Sequence, residues 1–384
     1  MTNQERARRG LTLLAFLLAL LVAGPRLLPL SAPQFALSAV PTGKTVAELS
    51  APSISDLPNP AASAHSVSLV DLGGSRLGAA WFAGSREGAD DVDIVFSTFD
   101  GQQWTPPISI VSNAKVEADE HRVNRKVGNP VLWLERPDRL HLWFVTVSYG
   151  GWAGSSLNHQ VSSDLGQHWQ GAEKLVTSPF LNISTLVRTP PLPLSDGGFA
   201  LPVYHEFIAK HPEWLRLDHD GHVVDKLALT GARRQIQPSA VALGPESALL
   251  LTRDAGSGKQ AIHLSHSDDG GQHWSPLAPL DLPNPNASVA MTKLRDGRLL
   301  LVYNPITGGR HQLALALSAN GTNWTPIHTL ETGQGEDEFS YPALLQMPDG
   351  TIHVAYTWQR RHIRMQTLTP GLIDRLAASA EKKP

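Results

Sequence analysis

The 384-residue sequence contains no cysteine. This absence excludes disulfide bonds, a thiol nucleophile and a thiolate metal site. The sequence also lacks an excess of basic residues, since 32 Lys and Arg against 35 Asp and Glu give a net charge of −3. Proteins that bind nucleic acid carry a basic surface, so the composition predicts no nucleic-acid partner.

No long membrane-spanning run of apolar residues is present either. Arg6, Arg8 and Arg9 precede a run of only thirteen uncharged residues, Leu11–Ala23. This pattern is typical of a signal peptide or a short membrane anchor, which we expect over 1–30. The body is therefore expected to be exported, either into a periplasm or held on an inner membrane outside the cytoplasm. Residues 31–60 are rich in Pro, Ser and Ala and predict a linker.

Helical periodicity is absent until Leu372–Ala380, where a short helix is expected within a C-terminal tail, 371–384. What the sequence does contain is a series of short apolar runs separated by turn residues, with 32 Gly and 29 Pro in total. This pattern is typical of an all-β protein.

One turn pattern, Ser-x-Asp-x-Gly-x-x-Trp, occurs at Ser162–Trp169 and again at Ser267–Trp274. The Asp can accept hydrogen bonds from turn N–H groups, the Gly allows positive φ, and the Trp can pack on the core. Looser copies occur at Ser97–Trp104 and Ser318–Trp324.

The spacing of these turns suggests a repeated unit. The four tryptophans are separated by 65, 105 and 50 residues, so the middle gap has room for a unit without the full motif. Units of roughly 50 residues made of short strands are typical of β-propeller blades. Such a unit length predicts six blades between 61 and 370.

Polar residues just outside the strands are the candidate site residues, because propeller ligands usually meet the loops at one end of the channel. These include Arg86, Glu87, Asp90 and Asp91 between two strands of the first blade, as well as Glu206, Gln237, Asn304, Arg310 and Tyr341. The histidines His121, His205, His211, His219 and His222 show no tight ligand spacing, so the sequence predicts no metal site and no cofactor.

The repeats and several longer segments resemble the sialidase (neuraminidase) superfamily, in particular its BNR-repeat branch, in which the turn pattern is called the Asp-box. The segments are AHSVSLVDL, AAWFAGSREGADDVDI, GNPVLW, RRQIQPS, LPNPNAS, VYNP…GGRHQLALALS and EFSYPALLQMPDGTIHVAYTWQRRHI. The resemblance implies a sialidase-like six-bladed propeller with a tyrosine nucleophile, an activating Glu, an Asp acid/base and three arginines that bind a substrate carboxylate.

Transferred residue by residue, the resemblance makes Tyr341 the nucleophile, Arg310 the last arginine, and Asp90 or Asp91 the acid/base. His65 stands where the first arginine is expected, and Gln237 stands near the place of the activating Glu. No arginine directly precedes the predicted strand 262–266. A His or Gln cannot copy the two parallel hydrogen bonds of a guanidinium to a carboxylate.

The sequence therefore predicts an exo-glycoside hydrolase that acts on a terminal sugar, either acidic or neutral, of a glycan or polysaccharide. The predicted catalytic residues are Tyr341, Asp90 and Glu87, and the predicted substrate-binding residues are Arg310, Arg86, His65, Gln237, Glu206 and Asn304. Two alternatives stay open. One is a propeller that binds glycans without cleaving them, and the weaker one is a polysaccharide lyase.

Overall fold

The computed structural model describes residues 3–27, 33–37, 47–135, 137–256 and 260–382. Two units are described separately. In the first, 1–33, a single helix, α1 (Asn3–Leu27), covers most of the segment interpreted as a signal peptide or anchor. Within the described residues, no helix combines the length and the apolar character that crossing a membrane requires.

The second unit, 34–384, is a six-bladed β-propeller, so the predicted fold class is confirmed. In every blade neighbouring strands are antiparallel, and most of them follow one another along the chain. The first strand of each blade lies next to the channel. The strand β1 (Ser53–Asp56) precedes blade one in the chain. Blade one consists of β2 (Ser63–Gly73), β3 (Arg76–Gly84), β4 (Asp93–Phe99) and β5 (Ile108–Val111), and blade two of β6 (Lys126–Glu135), β7 (Arg139–Val147), β8 (Ser155–Ser162) and β9 (Glu173–Lys174). Blade three consists of β10 (Leu186–Val187), β11 (Leu192–Pro193), β12 (Phe199–His205), β13 (His211–Leu217) and β14 (Val223–Ala228).

The remaining blades complete the ring. They are blade four with β15 (Gln235–Ala242), β16 (Ala248–Asp254), β17 (Ala261–Ser267) and β18 (Ala278–Pro283); blade five with β19 (Ala290–Lys293), β20 (Leu299–Tyr303), β21 (Gln312–Ser318) and β22 (Thr325–Thr332); and blade six with β23 (Phe339–Gln346), β24 (Ile352–Trp358) and β25 (His362–Leu368). The strand β1 pairs with β25 as the fourth strand of blade six. The two ends of the propeller chain therefore meet in one sheet, which closes the ring without a free seam.

The core consists of six apolar clusters, and each cluster joins one blade to the next. For example, Phe82 and Ile94 of blade one pack with Leu142 and Phe144 of blade two. Blades two to six continue in the same way, and the last cluster returns to blade one. Because each sheet is covered on both faces, its middle strands read as continuous apolar runs rather than alternating ones.

The turn motifs fold as the sequence predicts. Ser162 Oγ donates to Asp164 Oδ1 at 2.7 Å, and Asp164 Oδ1 accepts from His168 N at 2.8 Å. Trp169 Nε1 donates to Gly166 O at 3.1 Å. The unit in the middle gap is blade three, whose turn at Asp218–His222 has the Asp and Gly but no Trp.

Two structural details differ from the sequence interpretation. Part of the range interpreted as a linker belongs to the propeller, because β1 lies within it and Phe35 is buried in the cluster between blades three and four. A short helix, α2 (Asn113–Glu120), precedes blade two. Only Val116 of α2 is buried, so eight residues gave no periodic signal. The expected C-terminal helix is present as α3 (Pro370–Ala380).

Candidate functional site

Polar side chains gather at the end of the channel where the inner strands begin and the second strands end, and this cluster is called the pocket below. Each blade places one non-glycine residue in the left-handed region beside its inner strand, with φ between 47° and 61°: Ser66, Asn129, Ser184, Gln237, Asn286 and Tyr341. Such backbone costs about 1–3 kcal/mol per residue and is concentrated at functional sites. Register shifts interrupt the pairing at four of these positions. Bulges of this kind redirect side chains, here toward the channel mouth.

Tyr341 is the centre of this pocket. Its hydroxyl oxygen lies 3.3 Å from Gln237 Nε2 and 3.3 Å from Arg253 Nη1, both of which donate. The orientation of the Gln237 amide is fixed, because its Oε1 accepts from Arg253 Nη1 at 2.7 Å. The neighbours of the phenol oxygen are thus two donors, which is the arrangement that stabilises a phenolate.

The charges around Tyr341 also favour the phenolate form. Burial alone would raise the pKa of Tyr341, but the positive charges of Arg253 and Arg310 outweigh it, and the pKa is lowered below its usual value of 10.0. The hydrogen bond from Gln237 contributes in the same direction. Tyr341 therefore loses its proton more easily than an ordinary tyrosine.

Neighbouring blades continue the hydrogen-bond network around the channel. Tyr204 of blade three accepts from Gln237 Nε2 and from Asn129 Nδ2, each at 3.2 Å. Asn129 Oδ1 accepts from Ser66 Oγ at 3.2 Å. Burial raises the pKa of Tyr204 well above its usual range, so this hydroxyl stays protonated while Tyr341 is the ionisable one.

Arg188 braces the network from within the channel. It is 2% exposed, and its guanidinium donates to Val67 O at 3.2 Å and to Pro342 O at 2.9 Å. It thereby ties blade three to blades one and six. Its Cζ lies 5.3 Å from the centre of the Tyr341 ring, within range of a cation–π interaction. Burial lowers the pKa of Arg188 to about 10, which still leaves it positively charged at neutral pH.

On the blade-six side, two arginines share one carboxylate. Glu338 accepts from Arg310 Nη1 at 2.9 Å, from Arg360 Nε at 2.6 Å and from Ser340 Oγ at 2.6 Å. Arg360 also donates to Glu87 of blade one. Burial would raise the pKa of Glu338, but the hydrogen bonds from Arg360 and Ser340 and the arginine charges hold it at about 2.

His65 packs directly on the nucleophile candidate. The ring centres of His65 and Tyr341 are 4.1 Å apart. The side chain is 1% exposed, and neither ring nitrogen has a hydrogen-bond partner within the described part of the chain. Burial, together with the charge of Arg360, holds the pKa of His65 well below its usual 6.5, so the ring is neutral. A neutral imidazole can donate one hydrogen bond and accept another.

The remaining predicted residues divide into two groups. Glu87 lies at the pocket through its ion pair with Arg360, whereas Arg86 and Asp90 are exposed in the same loop. Asp91 accepts from Ser85 N and Ser85 Oγ at 3.1 and 2.9 Å, so it shapes this loop.

Two predicted substrate-binding residues make other contacts. Asn304 is fully buried, and its Nδ2 donates to Gln312 O and Phe339 O. Glu206 forms an ion pair with Lys210 at 3.0 Å. Neither is hydrogen-bonded to Tyr341, so the structure gives Asn304 a bracing role and places Glu206 in the β12–β13 loop.

Several pocket residues were missed by the sequence interpretation: Asn129, Arg188, Tyr204, Arg253, Asn286 and Arg360. One signal was available, because Asn129, Gln237 and Tyr341 each precede a proline at the start of an inner strand. Arg253 had a weaker one, as a charged residue two positions after the apolar run 248–251. With Arg253 and Arg188, three arginines surround Tyr341; of the two arginines predicted for the site, Arg310 is among them and Arg86 is not.

A separate cavity lies elsewhere in the propeller. A cavity of about 1120 Å³ along the channel is lined by residues that include Arg188, Asp71 and Lys293, but not by Tyr341 or Arg253. The residues that line this cavity do not surround a candidate nucleophile such as Tyr341. Chemistry therefore identifies the candidate site better than size does.

Comparison with known proteins agrees with this architecture. A family model described as a BNR repeat-like domain matches residues 75–354. No curated protein matches the chain. Among solved structures, Hadza microbial sialidase Hz136 is 18% identical with a TM-score of 0.66, over 81% of this chain and 66% of that one. A protein of unknown function from Dyadobacter fermentans is 15% identical with a TM-score of 0.67, over 82% and 97%.

The intramolecular trans-sialidase from Ruminococcus gnavus, solved in complex with oseltamivir carboxylate, is 13% identical with a TM-score of 0.64, over 84% of this chain and 98% of that one. At these identities the likeness shows a shared fold. The predicted sialidase-type propeller and its BNR repeats are thereby confirmed.

Proposed function

This chain belongs to the BNR repeat-like domain family, and we propose that it is an exo-acting glycoside hydrolase that releases a terminal acidic sugar from a glycan. The observation that carries the proposal is the environment of Tyr341, whose hydroxyl accepts hydrogen bonds from Arg253 and Gln237 and whose pKa is lowered. A tyrosine prepared in this way is suited to attack an anomeric carbon.

The nucleophile needs no carboxylate base in this arrangement. A base accelerates attack by removing the phenol proton, but two fixed donors and two nearby cations achieve part of that effect by stabilising the phenolate directly. Gln237 therefore acts as a positioning residue. Its amide holds the Tyr341 oxygen and is itself held by Arg253.

The charge balance of the pocket favours an acidic sugar. Three arginines lie around Tyr341, namely Arg188, Arg253 and Arg310, and Arg360 lies beyond them on Glu338, whereas the ion-paired carboxylates are Glu338 and Glu87. Arg253 forms no ion pair with any carboxylate among the described residues and bonds only neutral groups. A substrate carboxylate would supply the missing negative charge.

Asp90 takes the role of protonating the leaving oxygen, which the resemblance to sialidases assigns to this loop. Glu338, with a pKa of about 2, is ionised at any working pH and cannot donate a proton. Glu87 is engaged by Arg360. Asp90 lies exposed in the same loop, and its carboxylate forms no hydrogen bond with the residues that the structure describes. His65 is buried against the Tyr341 ring and helps to hold it in place.

One observation favours a second candidate, a propeller that binds glycans without cleaving them. The groups that touch the Tyr341 hydroxyl are the amide of Gln237 and the guanidinium of Arg253, and neither can accept the phenol proton as a carboxylate does. If the lowered pKa of Tyr341 is insufficient for attack, the same pocket would still bind an anionic sugar.

The N-terminal sequence supports a further part of the proposal, that the propeller is exported. The arginines Arg6, Arg8 and Arg9 followed by Leu11–Ala23 are the relevant features. Fractionation of cells that express the full chain should recover it from the periplasm or the inner membrane. Recovery from the cytoplasm alone would contradict export.

Turnover by the purified full-length protein tests the enzymatic proposal. The substrates are aryl glycosides of nonulosonic acids, hexuronic acids and neutral deoxyhexoses, together with an acidic polysaccharide. We expect release of one acidic sugar, reduced by more than about 1,000-fold in Tyr341→Phe. Tyr149→Phe is the matched control, because Tyr149 is an exposed tyrosine outside the pocket network.

The other outcomes separate the alternatives. Turnover that survives Tyr341→Phe would sink the nucleophile assignment. A product with a new carbon–carbon double bond, detected by its ultraviolet absorbance, would indicate a lyase. Binding of an acidic sugar without any turnover would establish the binding propeller instead.

A further inference from the structure

Two histidines and a glutamate form a cluster outside the candidate active site, on blade three. His205 ends β12 and His211 begins β13, and the two residues are direct partners across this hairpin. Their rings stack, with centres 5.0 Å apart and planes 25° apart. Glu213 lies two residues further along β13, so its side chain projects on the same face as that of His211.

The spacing of the three side chains matches what a small metal ion requires. One potential ligand atom from each lies within 4.8 Å of the other two. His211 Nε2 and Glu213 Oε1 are 3.5 Å apart. In a tetrahedral zinc site, ligand distances of about 2.1 Å place neighbouring ligand atoms about 3.4 Å apart. We propose that His205, His211 and Glu213 bind a divalent transition metal of the zinc class.

The hydrogen bond of His205 supports this role. Its Nε2 lies 2.8 Å from Phe207 O, and a carbonyl only accepts, so Nε2 carries the proton. The lone pair is then on Nδ1. A metal-binding histidine characteristically donates its other N–H to a backbone carbonyl, which fixes the tautomer and the ring orientation.

Glu213 provides a second argument for the metal site. The residue is 5% exposed, so its carboxylate charge is poorly solvated. Lys226 Nζ lies 3.2 Å from Oε2 as an ion-pair partner. A buried carboxylate needs a positive partner, and a divalent metal can replace the lysine in that role.

The site has room for exchange. His211 and Lys226 keep 25% and 18% of their side chains exposed, so a metal can enter from solvent and Lys226 can swing away. Water would complete the coordination. A bound metal would link both ends of the 206–210 loop and fix the strand that carries Tyr204, whose hydroxyl belongs to the pocket network.

Calorimetric titration of zinc chloride into the full-length, chelator-treated protein without a polyhistidine tag tests the site. We expect one zinc per chain at micromolar affinity or tighter, together with a rise in the midpoint of thermal unfolding. The double variant His205→Ala/His211→Ala should bind zinc at least about tenfold more weakly. The matched control is His219→Ala/His222→Ala, which removes two exposed histidines that also lie beside carboxylates.

A second variant keeps the inference testable if the histidine variant does not fold. Lys226→Met removes the competing ammonium and should tighten zinc binding by about tenfold. Three results would overturn the proposal: no zinc uptake by the wild type, equal uptake by the His205→Ala/His211→Ala variant, or no gain in Lys226→Met. None of these depends on whether the protein cleaves a glycan.

Discussion

Replacing Glu338 by glutamine is expected to reduce the free energy of unfolding by about 3 kcal/mol at pH 7. Glu338 is the carboxylate that joins Arg310 to Arg360, and its side chain is 18% exposed. Glutamine keeps the shape but removes the charge, so Arg310 loses its ion-pair partner and Arg360 keeps only Glu87.

The magnitude follows from the pKa. Folding lowers the pKa of Glu338 from 4.5 to about 2. Each pKa unit corresponds to about 1.4 kcal/mol, which gives the figure of about 3 kcal/mol. Because the folded pKa lies below the unfolded one, this contribution is complete above about pH 4.5. It is lost as the pH falls from about 4.5 to about 2.

Urea unfolding followed by tryptophan fluorescence measures the effect at pH 7 and pH 3. We expect the difference between wild type and Glu338→Gln to fall to less than half between these values. Glu336→Gln is the control, since Glu336 lies exposed in the same loop and should change stability by less than about 0.5 kcal/mol. A difference below about 1 kcal/mol at pH 7, or one that does not change with pH, would refute the reasoning.

Two further predictions concern the tyrosine and the turns. Ultraviolet titration should show one tyrosine that ionises below the usual pKa of 10, and this transition should be absent in Tyr341→Phe. In Arg253→Met its pKa should rise, because the cation that donates to the hydroxyl is gone. An unchanged titration in Tyr341→Phe would disprove the assignment. Gly166→Ala should destabilise the fold by about 2–4 kcal/mol, since φ is 95° and a Cβ would lie 2.4 Å from Phe96. Gly101 has φ 100° and open space around it, so Gly101→Ala should lose only the stability that the strained backbone costs. Equal losses of stability for the two variants in thermal unfolding would rule out the clash between the new Cβ and Phe96.

The architecture was predictable because its signals are local. Each turn motif closes its hydrogen bonds within a few residues, as Ser162 and Asp164 do with Gly166 and His168, so the pattern survives in the sequence. Repetition of this unit fixed the number of blades. The range predicted as a linker, 31–60, included a strand of the propeller. This strand, β1, was missed because it pairs with β25, more than 300 positions further along the chain.

The pocket was only partly predictable, because it is assembled across the ring. Tyr341, Arg310, His65 and Gln237 were identified and do lie together. Arg253, in contrast, comes from a second strand whose end reaches the mouth only once the blades close, and nothing local marks its contact with Tyr341. The catalytic roles of Tyr341, Asp90 and Glu87 remain predictions.

The central claim is that Tyr341 forms a covalent bond with the sugar, and trapping that bond tests it most directly. The full-length protein would be incubated with an activated fluorinated analogue of the released sugar, which slows hydrolysis of the intermediate. Peptide mass spectrometry should find the sugar on the peptide that contains Tyr341, and no label in Tyr341→Phe. A label on Asp90 or Glu87, or turnover with no label on Tyr341, would contradict the account.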